Sequence, residues 1–210
     1  MTQVLPREIP LFPLGGTILL PGEVLPLNVF EPRYLNMVDD ALKSDRMIGI
    51  VQTRPGGTLD RPDLESIGGA GRIGEHSETP DGRYLITLEG LSRFRLTGEA
   101  DRPAPYRTGV ADYAGFAADL DVPETLLDTD RQRLESLLRL WFANEHVETD
   151  WDSVAAAPLA RVVDRMAMVA PFTAAERQRL LEARHVRRRL DVMSDILEHR
   201  IAEGANGSAN

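Results

Sequence analysis

The sequence predicts an α+β protein in two parts: a β-barrel or sandwich interrupted by one helix, then a run of helices. Three observations carry this expectation. The first half places Gly and Pro between short runs of β-forming residues. Within it a single stretch, Tyr34, Leu35, Val38, Ala41 and Leu42, recurs at helical spacing. After an Ala- and Asp-rich stretch at 113–123, apolar residues keep helical spacing almost to the C-terminus.

The strands expected are 9–12, 24–29, 47–52, 69–76, 83–88, 93–97 and 106–111. Thr79-Pro-Asp-Gly82 is a turn, with Pro preset and Gly permissive, so its flanking strands form a hairpin. Leu88-Glu89-Gly90 reads as a second tight turn. From Arg93 to Leu96 the order is Arg, Phe, Arg, Leu, which points Phe94 and Leu96 inward and both arginines outward. Many short strands with little helix suggest a barrel or sandwich.

The stretch Pro26-Leu-Asn-Val-Phe-Glu-Pro-Arg-Tyr34 joins strand to helix. Leu27, Val29 and Phe30 read as the end of a buried strand. Pro32 suits the first helical position, where its missing N–H had no partner anyway. Glu31 then sits at the positive end of the helix dipole, where a carboxylate is favoured. Structural bracing by Glu31 and Arg33 is favoured over acid/base catalysis, because no second carboxylate or histidine accompanies them in the sequence. A buried pair would make Arg33→Ala cost about 3–5 kcal/mol.

In the second half, Asp121 reads as a helix cap with Glu124 three residues on. Leu127, Leu134, Leu138 and Trp141 form one stripe, with a break allowed at 128–130. Asp150 caps a short helix ending before Pro158. Leu159, Val162, Val163, Met166 and Ala170 mark the next helix. Thr173-x-x-Glu176 is a capping box opening another, and Val186, Leu190, Met193, Leu197 and Ile201 define the last. The expected division is 1–117 for the β domain, 118–203 for the helical bundle and 204–210 for a disordered tail.

Composition restricts function. The 210 residues carry a net charge of −9, which opposes a phosphate-tracking basic face and an anionic membrane surface. There is no cysteine, so disulfides, thiolate chemistry and Cys-based zinc sites are excluded. No secretory leader pattern is seen at the N-terminus, and no apolar run reaches the roughly 18–20 residues that span a bilayer. The expectation is a soluble, cytoplasmic protein. Lys43 is the only lysine, a bias that a GC-rich genome explains.

The catalytic motifs fail in turn. Lys43-Ser44 lacks the preceding glycines of a P-loop. No serine has the Gly-x-Ser-x-Gly frame of an elbow hydrolase. His76, His146, His185 and His199 have no metal spacing. The acids at 119, 121, 124, 128 and 130 lack the glycine of a calcium loop. Gly68-Gly69-Ala-Gly71 precedes no helix, so it marks a strand bulge or close packing. Arg187-Arg188-Arg189 reads as one solvated helix face.

A resemblance adds to this reading. Ile9-Pro-Leu-Phe-Pro-Leu14, Leu20-Pro-Gly22, Pro26 to Tyr34 and Ala41-Leu42 resemble the N-terminal domain of Lon proteases. Ile67 to Ile73, Asp81-Gly-Arg83, Glu89 to Arg95 and Pro105-Tyr106 follow that domain's later motifs in order. The likeness covers roughly 8–113 and continues more weakly through Leu180-Leu-Glu182 and the last helix; the family also includes the corresponding domain of cereblon. It implies a PUA-like β-barrel, a helical bundle and recognition of protein substrates. Glu31, Pro32, Arg33, Tyr34, Gly68, Gly82, Gly90, Arg93 and Phe94 then form a structural signature with no catalytic residue among them. Lon's ATPase and Ser–Lys peptidase modules have no counterpart in this sequence.

The expected function is therefore non-catalytic binding of unfolded or client polypeptides, with a separate protease or ATPase as a further partner. No cofactor, metal, nucleic acid or membrane is expected. Ile18, Leu19 and Leu20, apolar between glycines and a proline, are one candidate peptide contact; a buried strand is the alternative for them. The loop 54–66 is the other, read as long and mobile. Two rival functions stay open: an RNA-binding module, since PUA-like barrels often bind RNA, and a Lon-type hydrolase.

Overall fold

The computed structural model describes residues 5–121 and 125–207, with side chains through 203. The first half holds strands β1 (Glu8–Pro13), β2 (Val24–Val29), β3 (Met47–Val51), β4 (Thr53–Gly57), β5 (Pro62–Leu64), β6 (Ile67–Glu78), β7 (Tyr84–Ala100) and β8 (Thr108–Asp112), with helix α1 (Pro32–Leu42) after β2. A 3-10 segment, Ala114–Leu120, follows. Helices α2 (Asp128–Asn144), α3 (Trp151–Ala156), α4 (Leu159–Val169), α5 (Ala174–Glu182) and α6 (Val186–Gly207) complete the chain.

Six strands form one sheet in the order β2-β7-β6-β3-β1-β8, and β8 also pairs with β7, so the pairings return on themselves. Among the described residues, only β1 and β3 pair in parallel. β7 holds this together. Its first half pairs with β2, its second half with β8, and β6 lies along most of its other side. The expected turn at Leu88-Glu89-Gly90 is therefore corrected: these residues lie inside one 17-residue strand. Gly90 is needed for close approach, because a Cβ there would come within 2.1 Å of the Leu20 carbonyl oxygen. The other turn stands where expected. Gly82 takes φ +78° between β6 and β7, and the Thr79 hydroxyl accepts the Arg83 N–H at 3.1 Å.

β2 has an open edge. Leu25, Leu27 and Val29 share one face, and of these only Val29 is fully buried. Phe30 follows Val29 with the opposite phase and is 62% exposed, which corrects its expected burial. Pro26 interrupts the ladder of donors on this edge, a device that discourages pairing with another strand.

Among the described residues the core has three apolar clusters. One centres on Phe12, Tyr34, Met37, Val38, Ile50 and Leu88, between α1 and the sheet. A second holds Ile9, Leu11, Met47, Val51 and Phe94. The third packs the helices but also includes Ile18, Leu20 and Ile67 from the first half. Between β1 and β2 the segment 14–22 runs over the glycines of β6 and β7. Ile18 and Leu20 face the helices, and Leu19 joins the sheet-side cluster. These three residues are only 0–2% exposed. Their expected role as peptide contacts is thus corrected in favour of a buried seam.

The helical caps match the sequence. Asp150 accepts the Ser153 N–H at 3.1 Å. Thr173 and Glu176 form the reciprocal capping box. The stripe beginning at Leu127 starts a helix at Asp128, so no break occurs at 128–130. The expected cap at Asp121 involves 122–124, which lie outside the described residues. Of the expected tail 204–210, α6 runs through Gly207, and 208–210 lie outside the described residues.

Candidate functional site

The Glu-Pro-Arg-Tyr stretch opens α1 with Glu31 as its N-cap and Pro32 at the first turn. Tyr34 is thereby held against Phe12, with ring centroids 4.4 Å apart. Arg33 lies over the Tyr34 ring at 4.6 Å, donates from Nε to Glu31 at 3.0 Å and donates from Nη1 to the Asp60 carbonyl at 3.0 Å. The Glu31–Arg33 pair is half-exposed, with side chains 46% and 35% accessible. The condition of a buried pair is therefore not met.

Asp60 belongs to a hairpin where the sequence suggested a loop. β4 and β5 pair across 53–64 with a register shift between Arg54 and Gly57. Gly56 and Gly57, at φ +122° and +70°, provide the bend. Thr58 and Arg61 exchange backbone hydrogen bonds at 3.1 Å each, which places Leu59 at the tip, 96% exposed.

Hairpin, α1 junction and the loop before β8 enclose a cleft of about 660 Å³. Tyr34, Tyr106 and Pro105 supply rigid apolar surface. The arginines are Arg33, Arg54, Arg61 and Arg107, against Glu31 and Asp60 on the lining itself. Glu99, just behind the lining, serves two of them: Arg61 at 2.6 Å and Arg107 through a two-pronged pair. That hydrogen bond from Arg107 holds the Glu99 carboxyl below its usual range. Tyr106 donates to Asp40 at 2.9 Å; burial and this bond push its hydroxyl up to about 12. Burial raises the Tyr34 hydroxyl as well. Both tyrosines thus remain neutral donors at physiological pH. The lining holds no histidine, serine or lysine.

The remaining signature residues lie elsewhere. Gly68 and Phe94 pack against each other in the sheet, and Phe94 is fully buried. Gly82 and Gly90 take the turn and close-contact roles described above. Arg93 is 1% exposed, which corrects its expected outward, solvent-facing position. It does point away from Phe94, but into the helices. All five of its guanidinium N–H groups are used: Nε and Nη2 on Asp119 at 2.9 and 2.7 Å, the others on the carbonyls of Leu181, Ala183 and Arg184. Arg189 reinforces this, donating to the Leu180 carbonyl at 3.0 Å and to Asp164 at 2.5 Å. Two buried arginines thus satisfy the open carbonyls at the end of α5. The run 187–189 is accordingly not one solvated face: Arg189 is buried, Arg187 pairs with Asp130 at 2.6 Å, and Arg188 is exposed.

Sequence reasoning did not bring Leu59, Arg61 and Arg107 to the signature residues. The available signals were Gly56-Gly57, a hairpin cue, and Pro105-Tyr106, one of the motifs of the resemblance.

The fold is mixed α+β, with strand pairings that return to β7 and helices packed against the sheet. The chain belongs to the family of the ATP-dependent protease La (LON) substrate-binding domain, which matches residues 8–199. The match thus includes the helices, where the likeness read from the sequence was weaker than over 8–113. The Lon protease of Heliobacterium modesticaldum is 27% identical over 194 residues, 91% of this chain and 24% of its own length. That of Escherichia coli K12 is 26% identical over 201 residues, 92% of this chain and 25% of its own. The chain therefore spans about a quarter of the length of these relatives. The crystal structure of a Lon N-terminal domain protein from Xanthomonas campestris is similar, with a TM-score of 0.63 and 25% identity, covering 89% of this chain and 96% of that one. No helix among the described residues is long and apolar enough to cross a membrane.

Proposed function

We propose that this chain recognises extended or unfolded polypeptide and makes or breaks no bonds itself. Membership of the Lon substrate-binding family over 8–199 carries the reading. The cleft adds a physical means: tyrosines and prolines give contact area at little entropic cost, and the arginines give donors for backbone carbonyls and side chains. In this reading the strands of 1–117 form a PUA-like β-barrel, supported by the return of the pairings to β7. The helices of 118–203 support it from outside the cleft. A separate protease or ATPase would act on what is held; the relatives are named proteases and the family description is of an ATP-dependent one.

Titration of a labelled, permanently unfolded protein tests this. Binding is expected in the micromolar range, about −8 kcal/mol, because a mobile chain loses entropy on docking. Leu59→Asp should weaken it about fivefold, since even partial burial of a leucine contributes about 1 kcal/mol. Absence of binding overturns the reading. ATP or casein turnover that keeps constant specific activity through purification overturns its non-catalytic part.

A further inference from the structure

We propose that the cleft selects polypeptide segments in which an apolar or aromatic residue is flanked by carboxylates. The inference rests on the polypeptide-recognition reading above and adds the chemistry of the preferred segment. The chain as a whole is acidic, with 33 Asp and Glu against 24 Lys and Arg. The cleft lining itself carries four arginines and two carboxylates, while Asp63 and Glu99 pair with Arg54, Arg61 and Arg107 from beside it.

These arginines divide by what they already hold. Arg33 is committed to Glu31 and to the hairpin backbone. Arg107 is committed to Glu99 and the Pro62 carbonyl, and its side chain is only 15% accessible. These two position the hairpin. Arg54 and Arg61 are 55% and 66% accessible. Arg54 reaches Asp63 only at 4.0 Å, too far for a hydrogen bond. Arg61 touches Glu99 through Nη2 alone, and that carboxylate is shared with Arg107. Because Arg107 shares Glu99, Arg61 keeps exposed N–H donors that an incoming carboxylate can take.

Leu59 at the tip and the ring of Tyr106 line the same cleft and supply its apolar contact. A guanidinium fork favours a carboxylate in bidentate geometry. A segment with an apolar residue between acidic ones satisfies both features, whereas a basic segment meets like charge.

The test uses the full chain and two labelled peptides with the same aromatic centre, one flanked by Asp and Glu, the other by Lys. At low salt the acidic peptide should bind about tenfold tighter, a ratio that two exposed charge contacts can supply. The double variant Arg54→Glu/Arg61→Glu, whose sites are solvent-accessible, should invert the preference while its thermal midpoint stays unchanged. The two affinities should converge toward 1 M salt, where the Debye length contracts to about 3 Å. Equal binding of both peptides, unchanged in the variant, overturns this inference and leaves the polypeptide reading standing. Binding of neither defeats both. A single-stranded RNA that binds more tightly than either peptide, and loses affinity in the variant, assigns the cleft to nucleic acid and overturns the proposal.

Discussion

Arg33 and Arg93 show how one residue type acquires different energies from its surroundings. Arg33 keeps a water-accessible ion pair, so its Coulomb attraction is screened. Arg93 is enclosed with Asp119, whose side chain is 7% accessible, and no donor is spare. Removing Arg93 would strand a buried carboxylate and three carbonyls. We predict that Arg93→Ala lowers unfolding free energy by about 3–5 kcal/mol. Arg33→Ala should cost less than about 1 kcal/mol. Urea denaturation compares the two directly, and equal losses would contradict the assignment. Arg93→Lys should fall between wild type and Arg93→Ala, because a point charge cannot reproduce a fork that spans a carboxylate and three carbonyls.

At the scale of one element, α5 is held at both ends. Its start has the Thr173–Glu176 capping box, with Thr173 N–H donating to Glu176 at 2.7 Å. Its end has Arg93 and Arg189. Glu176 also receives Arg200 from α6, at 3.0 Å through Nε. Burial alone would raise the Glu176 carboxyl, but the hydrogen bonds from Arg200 and Thr173 outweigh it and hold the group below its ordinary 4.5. A carboxyl depressed in the folded state stabilises fully above the unfolded value and loses that contribution as pH falls through the folded one. Thr173→Ala should therefore cost about 1 kcal/mol at neutral pH. Glu176→Gln should flatten the decline of stability as pH drops below the ordinary carboxyl value of 4.5, a change read from urea midpoints along a pH series. An acid limb as steep as in wild type would show that Glu176 contributes nothing to it.

At the scale of the molecule, strands and helices share a core. Ile18, Leu20 and Ile67 sit in the same cluster as Trp141, Leu180 and Met193. Gln52 at the end of β3 donates to the Ala174 carbonyl and to Gln178 at 3.0 Å each. Exposing this seam would uncover apolar surface and buried charge together. The two halves are therefore predicted to unfold in one transition. Trp141 and Trp151 both lie in the helical half, so their fluorescence reports that half. Exchange of the β3 amides reports the other. Separated midpoints would show two independent units instead.

Local chemistry was legible in the sequence. The strand–Pro–helix junction at 29–34, the turn at 79–82 and the caps at Asp150 and Thr173 each follow from steric and hydrogen-bonding preferences that act within a few residues. The ordered motifs from Ile9 to Tyr106 carried the family. Other features depended on what lies across space. Gly90 resembled a turn because sequence cannot show that the Leu20 carbonyl occupies the place of its Cβ. Arg93 alternated with Phe94 as a surface residue should, yet a second layer of helices covers that face, so alternation reported direction without reporting burial. The apolar run of Ile18, Leu19 and Leu20 was open to two readings, a peptide contact or a buried strand, with the buried strand slightly favoured. Only the packing of Ile18 and Leu20 on the helices and of Leu19 on the sheet decided it. The cleft is the extreme case. Arg33, Leu59 and Tyr106 line one cleft only because a hairpin, a helix start and a loop converge, and contacts between distant parts of the chain, such as Arg33 on the Asp60 carbonyl, hold them there.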